Sequence, residues 1–257
     1  MKDNAAAGND SQWPHGTVSV PAAPACGMPF WEENARWYDQ WVSHNRYHEP
    51  ILHALGSLPQ PGWRVLDIGG ATGVLSRPLA DMGCHVTLLE PCRAMQRLFE
   101  ARTRAVGFNR ITVDPRRWED VCPSDYDGWD LVIASNSLHL TSLGIDAALQ
   151  SLLMARPRHA FLVWEGPKHP SLAKIQGTEY GLGLVASHRV ESSFVYHSRR
   201  EAADHLRFRH RWFPWAPLNP EGLDSLQATG AHYIDRDLAL VNMARLDRRD
   251  RGRPYIP

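Results

Sequence analysis

At 257 residues the chain is long enough for one well-filled core, so a single α/β domain with decorations is the starting expectation. Apolar residues make up 43% and charged residues 22%, the proportions of an ordinary soluble globular protein, and no apolar run approaches the ~18 residues that a spanning helix needs. Lysine plus arginine and aspartate plus glutamate both number 28, a balance that argues against broad, sequence-independent binding of nucleic acid.

Residues 1–28, rich in Ala, Gly, Pro and Asn, read as a mobile arm without the continuous apolar segment of a secretory leader. Cys26, Cys84, Cys92 and Cys122 lack the C-x-x-C spacing of a metal site, so they are expected to be reduced thiols of a cytoplasmic protein, with no metal. From Phe30 to His48 a helix is expected, with Phe30, Trp37, Trp41 and His44 near one face and Tyr38 beside it. Pro50 opens a second short helix to about Gly56. Residues 30–56 would then cap one edge of a single domain spanning 29–257.

The stretch from Trp63 to Glu90 is the most informative. Val65, Leu66 and Ile68 form a short buried-strand run, and Asp67, Gly69, Gly70 and Gly73 follow where that strand would leave the sheet. Leu75–Met82 gives a crossover helix with Pro78 near its start, Gly83 closes it, and His85–Leu89 is a second strand with Glu90 at its tip. This is a βαβ unit of the nucleoside-binding kind. The dinucleotide spacing G-x-G-x-x-G does not fit, because Ala71 and Val74 occupy the second and third glycine positions.

Further strands are expected at Ile111–Val113, Leu131–Ala134 and Arg158–Glu165, with helices at about Arg93–Val106 and Asp146–Met154 between them. Ser135, Asn136 and His139 fall past the end of the fourth strand, where ligands of open α/β sheets collect. Gly166–Leu184, with its prolines and glycines, reads as a loop and broken helix, part of a lid-like insertion over 166–190. A strand at Ser193–Tyr196, a helix at about Arg199–Leu206 and a strand at Leu238–Met243 complete five parallel strands followed by a hairpin pair. Arginines 199, 200, 207, 209 and 211 form one basic cluster and 245, 248, 249, 251 and 253 another; interrupting acids favour solvated faces, the alternative being that one receives an anionic substrate or an RNA backbone.

The D-x-G-x-A-x-G turn of Asp67–Gly73, with Glu90 spaced after it, resembles the first motif of the class I S-adenosylmethionine (SAM) dependent methyltransferases, with Ala71 in place of the middle glycine. DLVIASNSLH, ending at His139, is similar to the motif after the fourth strand of many small-molecule methyltransferases. The resemblance implies a doubly wound, mostly parallel seven-stranded sheet with helices on both faces and an antiparallel C-terminal hairpin strand. It implies SAM as cofactor: Asp67 toward its ammonium, Gly69, Gly70 and Gly73 under it, and Glu90 with Pro91 at the ribose. Trp118 and Glu119 would meet the adenine, the alternative for Trp118 being a plug in a crevice, and Ser135 and Asn136 would lie alongside. Candidate proton acceptors are His139, Glu165, His169, His44 and Tyr38, with His48 also near the cavity. The acceptor implied is a small molecule, with nucleic acid and membrane partners not expected; an RNA or protein methyltransferase and a noncatalytic SAM-binding protein are the alternatives.

Overall fold

The computed structural model describes residues 27–104, 109–166, 175, 178–213, 223, 226–229 and 232–249. The short apolar runs become β1 (Arg64–Ile68), β2 (His85–Leu89), β3 (Ile111–Asp114), β4 (Leu131–Ser135) and β5 (His159–Glu165). They pair in parallel and are extended by two antiparallel neighbours, β10 (Leu238–Arg248) and β6 (Tyr180–Glu191). The order is β3-β2-β1-β4-β5-β10-β6, so the winding reverses between β1 and β4 and opens a crevice at the carboxyl ends of the strands.

Continuous apolar runs are explained by burial on both faces. Leu66, Ile68, Val132, Ala134 and Leu162 pack on one side with Trp118 and with Leu149 and Leu152 of α5 (Gly144–Met154). Val65, Val86, Ile133 and Val163 point the other way, against Ile51 of α2 (Glu49–Leu55) and Leu79 of α3 (Ser76–Asp81). No described helix is long and apolar enough to cross a membrane.

The structure differs from the sequence reading after β5. Tyr180–Glu191 is a twelve-residue strand, not the end of a lid. Gly181 and Gly183 lie in extended pairing with Asp247 and Arg245, so glycines that suggested a break are accommodated in a ladder. Tyr180 and Val190 anchor the strand in the two cores. The expected Ser193–Tyr196 strand belongs to a separate sheet: β7 (Phe194–Tyr196) pairs with β9 (His232–Asp235), which pairs with β8 (Gln227–Thr229). The segment between β6 and β10 also carries α6 (Arg199–Trp212), longer than expected. Its start is capped by side chains, Ser198 Oγ accepting from Glu201 N at 3.1 Å while the Glu201 carboxylate accepts from His197 N at 2.6 Å.

The N-terminal helix α1 (Met28–His44) joins these parts. On one side the Glu32 carboxylate accepts from the first amides of α4 (Arg93–Thr103), Arg93 N at 2.7 Å and Ala94 N at 3.1 Å, and Asp39 pairs with Arg102 at 2.6 Å. On the other side Gln40 Nε2 donates to Val195 O at 2.8 Å and Trp41 Nε1 to Ser192 O at 3.0 Å. Phe30 and Trp37 pack on Phe208 of α6. One arginine of the cluster serves the same assembly, Arg211 pairing with Glu33, while Arg207 pairs with Asp204 within α6.

Glu32 supplies acceptors to helix amides that otherwise have none within α4. Glu32→Ala is therefore expected to lower stability by about 1–2 kcal/mol in urea unfolding; a midpoint equal to that of the parent would contradict this role.

Candidate active site

The turn after β1 is shaped by close approach. Gly69 has φ 66° and a β-carbon there would stand 2.6 Å from Ser137 Cβ. Gly73, at φ 74°, is different from what the motif implies: its missing β-carbon makes room for the Phe99 ring, 2.6 Å from that position, and the residue is not on the cavity wall. Gly73 therefore lets α4 close on the turn. Ala71 holds the left-handed conformation with φ 51°, the region that disfavours a β-carbon.

Two carboxylates stand at neighbouring strand tips. Asp67, 2% exposed, accepts from Ser76 Oγ at 2.7 Å. Glu90, 6% exposed, accepts from Ala71 N at 2.9 Å through Oε2 and from Cys92 N at 2.7 Å through Oε1. Gln96 Nε2 donates to the Glu90 carbonyl at 2.6 Å. Burial pushes Asp67 up to about 6 against the opposing Ser76 bond, and burial pushes Glu90 up to about 7 against its two amides, with the Asp67 charge adding to the rise.

Both acids line one cavity of about 840 Å³, in the range of small-molecule sites. Of the residues expected at a cofactor, Gly69, Gly70, Pro91, Trp118, Glu119, Ser135 and Asn136 line it too. Trp118 is 3% exposed and its Nε1 donates to Ala148 O at 3.1 Å, so one edge of the ring is tied into the core while the residue walls the cavity. Glu119 accepts from Ser142 N at 3.2 Å and Ser142 Oγ at 3.0 Å. Ser137 is 7% exposed, lines the cavity, and its hydroxyl has no hydrogen-bond partner among the described residues.

The candidate bases separate. Glu165 and His139 line the cavity, His139 from an exposed 3-10 turn. Tyr38 lines it as well, but burial first, and then the charges of Asp67 and Glu90, raise its phenol well above the ordinary value. It is a hydrogen-bond donor at neutral pH, not a base. His48 lines the cavity and is pushed down to about 4 by burial, so it is neutral there. His44 instead turns to the exposed side of α1, its Nδ1 2.8 Å from Gln40 O, and is not on the wall. His169 lies outside the described residues.

One participant escaped the sequence reading. Tyr47, in the break between α1 and α2 and 1% exposed, donates from its hydroxyl to Glu165 Oε1 at 2.6 Å and accepts from Asn136 Nδ2 at 2.7 Å. Burial, followed by the Glu165 charge and hydrogen bond, raises this phenol strongly, so it remains a donor. Asn136, at φ 51°, carries the backbone bend that aims its amide. Spans of 118 and 89 residues separate Tyr47 from its two partners, so no local spacing could reveal the chain of bonds.

Residues 65–155 match the family model described as a methyltransferase domain. They form a methyltransferase domain. The search of curated proteins gives no match. Among solved structures, the YcgJ protein from Bacillus subtilis is 15% identical with a TM-score of 0.55, the likeness covering 80% of this chain and 100% of that one. The [4+2]-cyclase SpnF is 15% identical with a TM-score of 0.50, over 77% of this chain and 79% of that one. Magnesium protoporphyrin IX methyltransferase from Synechocystis PCC 6803, solved with SAM, is 18% identical with a TM-score of 0.47, over 79% and 80%. These likenesses are of fold; the methyltransferase domain's cofactor is SAM.

Two outcomes follow from the strained turn and the buried acids. For Ala71→Gly, relief of a left-handed β-carbon is worth ~1–2 kcal/mol and is partly offset by ~0.4–1 kcal/mol of added chain entropy. The variant should be neutral to modestly more stable in urea, and a clear loss would contradict the strain. For Glu90, a folded value near 7 against an ordinary 4.5 means that the folded chain holds the proton more tightly. Its stabilising contribution is full below about 4.5 and lost as pH rises through 7. Relative to Glu90→Gln, the ligand-free parent should lose stability across that window; a parallel pH profile for the two would contradict it.

Proposed function

We propose that the chain methylates a small molecule held in the capped part of the cavity, using SAM bound at the glycine turn. The observation that supports this most is the position of Glu90, whose carboxylate is fixed by two amides at a cavity wall shared with Asp67 and Gly69. Each Glu90 oxygen keeps acceptor capacity, which suits the paired hydroxyls of a ribose. Asp67 offers a negative partner to an ammonium, and the missing side chain at Gly69 lets the backbone approach. Trp118 and Glu119 provide a ring wall and an acceptor for the adenine, with Ser135 and Asn136 alongside. The unpartnered Ser137 hydroxyl gives the same region a free polar group. Bound SAM supplies a methyl group already activated by its sulfonium.

The protein's tasks are then to orient the acceptor, exclude water and take a proton where the acceptor carries one. Glu165 is the proposed proton acceptor because Tyr47 and Asn136 fix its orientation, and His139 is the second candidate on the same wall. The roof of α1 and α6 favours a small acceptor over RNA or a protein chain. The arginines of α6 do not offer an open cationic groove, since Arg207, Arg209 and Arg211 each pair with a carboxylate. The [4+2]-cyclase among the structural likenesses carries a similar fold under a different reaction name, so transfer of the methyl group must be measured and not read from architecture.

Isothermal titration with SAM and with S-adenosylhomocysteine tests the cofactor assignment. Both are expected to bind, and Glu90→Ala should weaken SAM by about 1.5–3 kcal/mol through loss of charged hydrogen bonds. No binding of either compound would refute the enzyme reading, and an unchanged dissociation constant in folded Glu90→Ala would refute the role of Glu90.

A further inference from the structure

Beyond the glycine turn the cavity continues beneath α1, β7 and α6, and its walls there are aromatic. Phe30 stacks on Phe208 with centroids 5.7 Å apart, and His205 lies 4.4 Å from both Trp37 and Phe194. Tyr196 Oη, 2.8 Å from His205 Nδ1, holds that imidazole in place, and burial depresses it to about 3, so it adds a neutral ring to the wall. Trp41 connects this chamber to the proposed base, standing 4.9 Å from Tyr47 on one side and donating to Ser192 O on the other. The rings brace one another, and Phe30, Phe194, His205 and Phe208 line the cavity.

Charge in the same cavity is one-sided. Its described lining includes six carboxylates, Asp67, Glu90, Glu119, Glu165, Asp235 and Asp237, against two guanidiniums, Arg117 and Arg209. Arg209 is 3.9 Å from Asp235, so the cation of the roof faces an acid of its own. Glu165 receives a neutral phenol and, among the described residues, no cationic side chain is paired with it. An anionic acceptor would meet a repulsive field, whereas a cation gains from both the carboxylates and the ring faces.

We propose that the acceptor is an arylalkylamine that enters as its ammonium cation, its ring against the Phe30, Phe194 and Phe208 wall and its nitrogen toward Glu165. This rests on the methyl-transfer reading and names its substrate class. One ammonium proton passes to Oε2 of Glu165, the oxygen that Tyr47 does not engage, giving a carboxylic acid and leaving the lone pair on nitrogen. Tyr47 is a positioning residue in this step: its bond to Oε1 orients the carboxylate.

The test is isothermal titration of the full chain saturated with S-adenosylhomocysteine, using 2-phenylethylamine and tryptamine against 2-phenylethanol and 3-phenylpropionate. At least one amine should bind about tenfold or more tighter than the alcohol and the carboxylate. Glu165→Gln should weaken that amine about tenfold while S-adenosylhomocysteine binds as before. The proposal is overturned if neither amine binds, if the alcohol or the carboxylate binds as tightly, or if Glu165→Gln leaves amine affinity unchanged. Loss of amine recognition with intact S-adenosylhomocysteine binding refutes the substrate class alone; absence of S-adenosylhomocysteine binding refutes the methyl-transfer reading beneath it.

Discussion

A single buried carboxylate ties the site together: Glu90 accepts from the amide of Ala71 in the turn after β1 and from the amide of Cys92 at the start of α4. Parallel pairing of Ile68 with Leu89 brings these two strand tips side by side, so a residue immediately past β2 can reach the turn past β1. Burying a carboxylate is costly unless it is hydrogen-bonded. Two amides offset part of that cost, and the upward shift of Glu90 shows that they do not offset all of it. A ligand that donates hydroxyls to the same oxygens would offset more, so ordering of the turn, ionisation of Glu90 and binding of a nucleoside are thermodynamically linked.

The helix α1 extends this constraint to the other half of the cavity. Glu32 binds the first amides of α4 just after Glu90 binds Cys92, while Trp41 and Gln40 on the same helix bind the backbone around β7. One rigid element thus spans from the cradle to the roof, and Tyr38 and Trp41 on its inner side face the cavity. The roof is built from the insertion between β6 and β10, braced by Phe30 and Trp37 against α6. On the proposed function, that helix is the element that touches both the cofactor cradle and the roof over the acceptor.

What could be read in the sequence follows from the range of each interaction. Five parallel strands were legible because each is a short run buried on both faces, and Asp67 and Glu90 were legible because strand and turn lengths place them at the tips. The two faces of α1 were only partly legible: Phe30 and Trp37 are buried as the period implies, whereas His44 at the same face turns outward where the helix ends. Gly181 and Gly183 misled, since extended glycines in a strand look like a loop until their partner, β10, is known. The roof and the Asn136, Tyr47 and Glu165 chain were invisible for a different reason. They depend on contacts between segments far apart in the chain, for which no local period exists. The start of α6 at Arg199 was legible, although the helix runs on to Trp212.

The most direct measurement is a crystal structure of the chain grown with S-adenosylhomocysteine. The account predicts the ribose hydroxyls at hydrogen-bond distance from Glu90, with the bonds from Ala71 N and Cys92 N intact and the sulfur facing the chamber beneath α1. A nucleoside bound elsewhere, or a Glu90 side chain turned out of the cavity to admit it, would contradict that account.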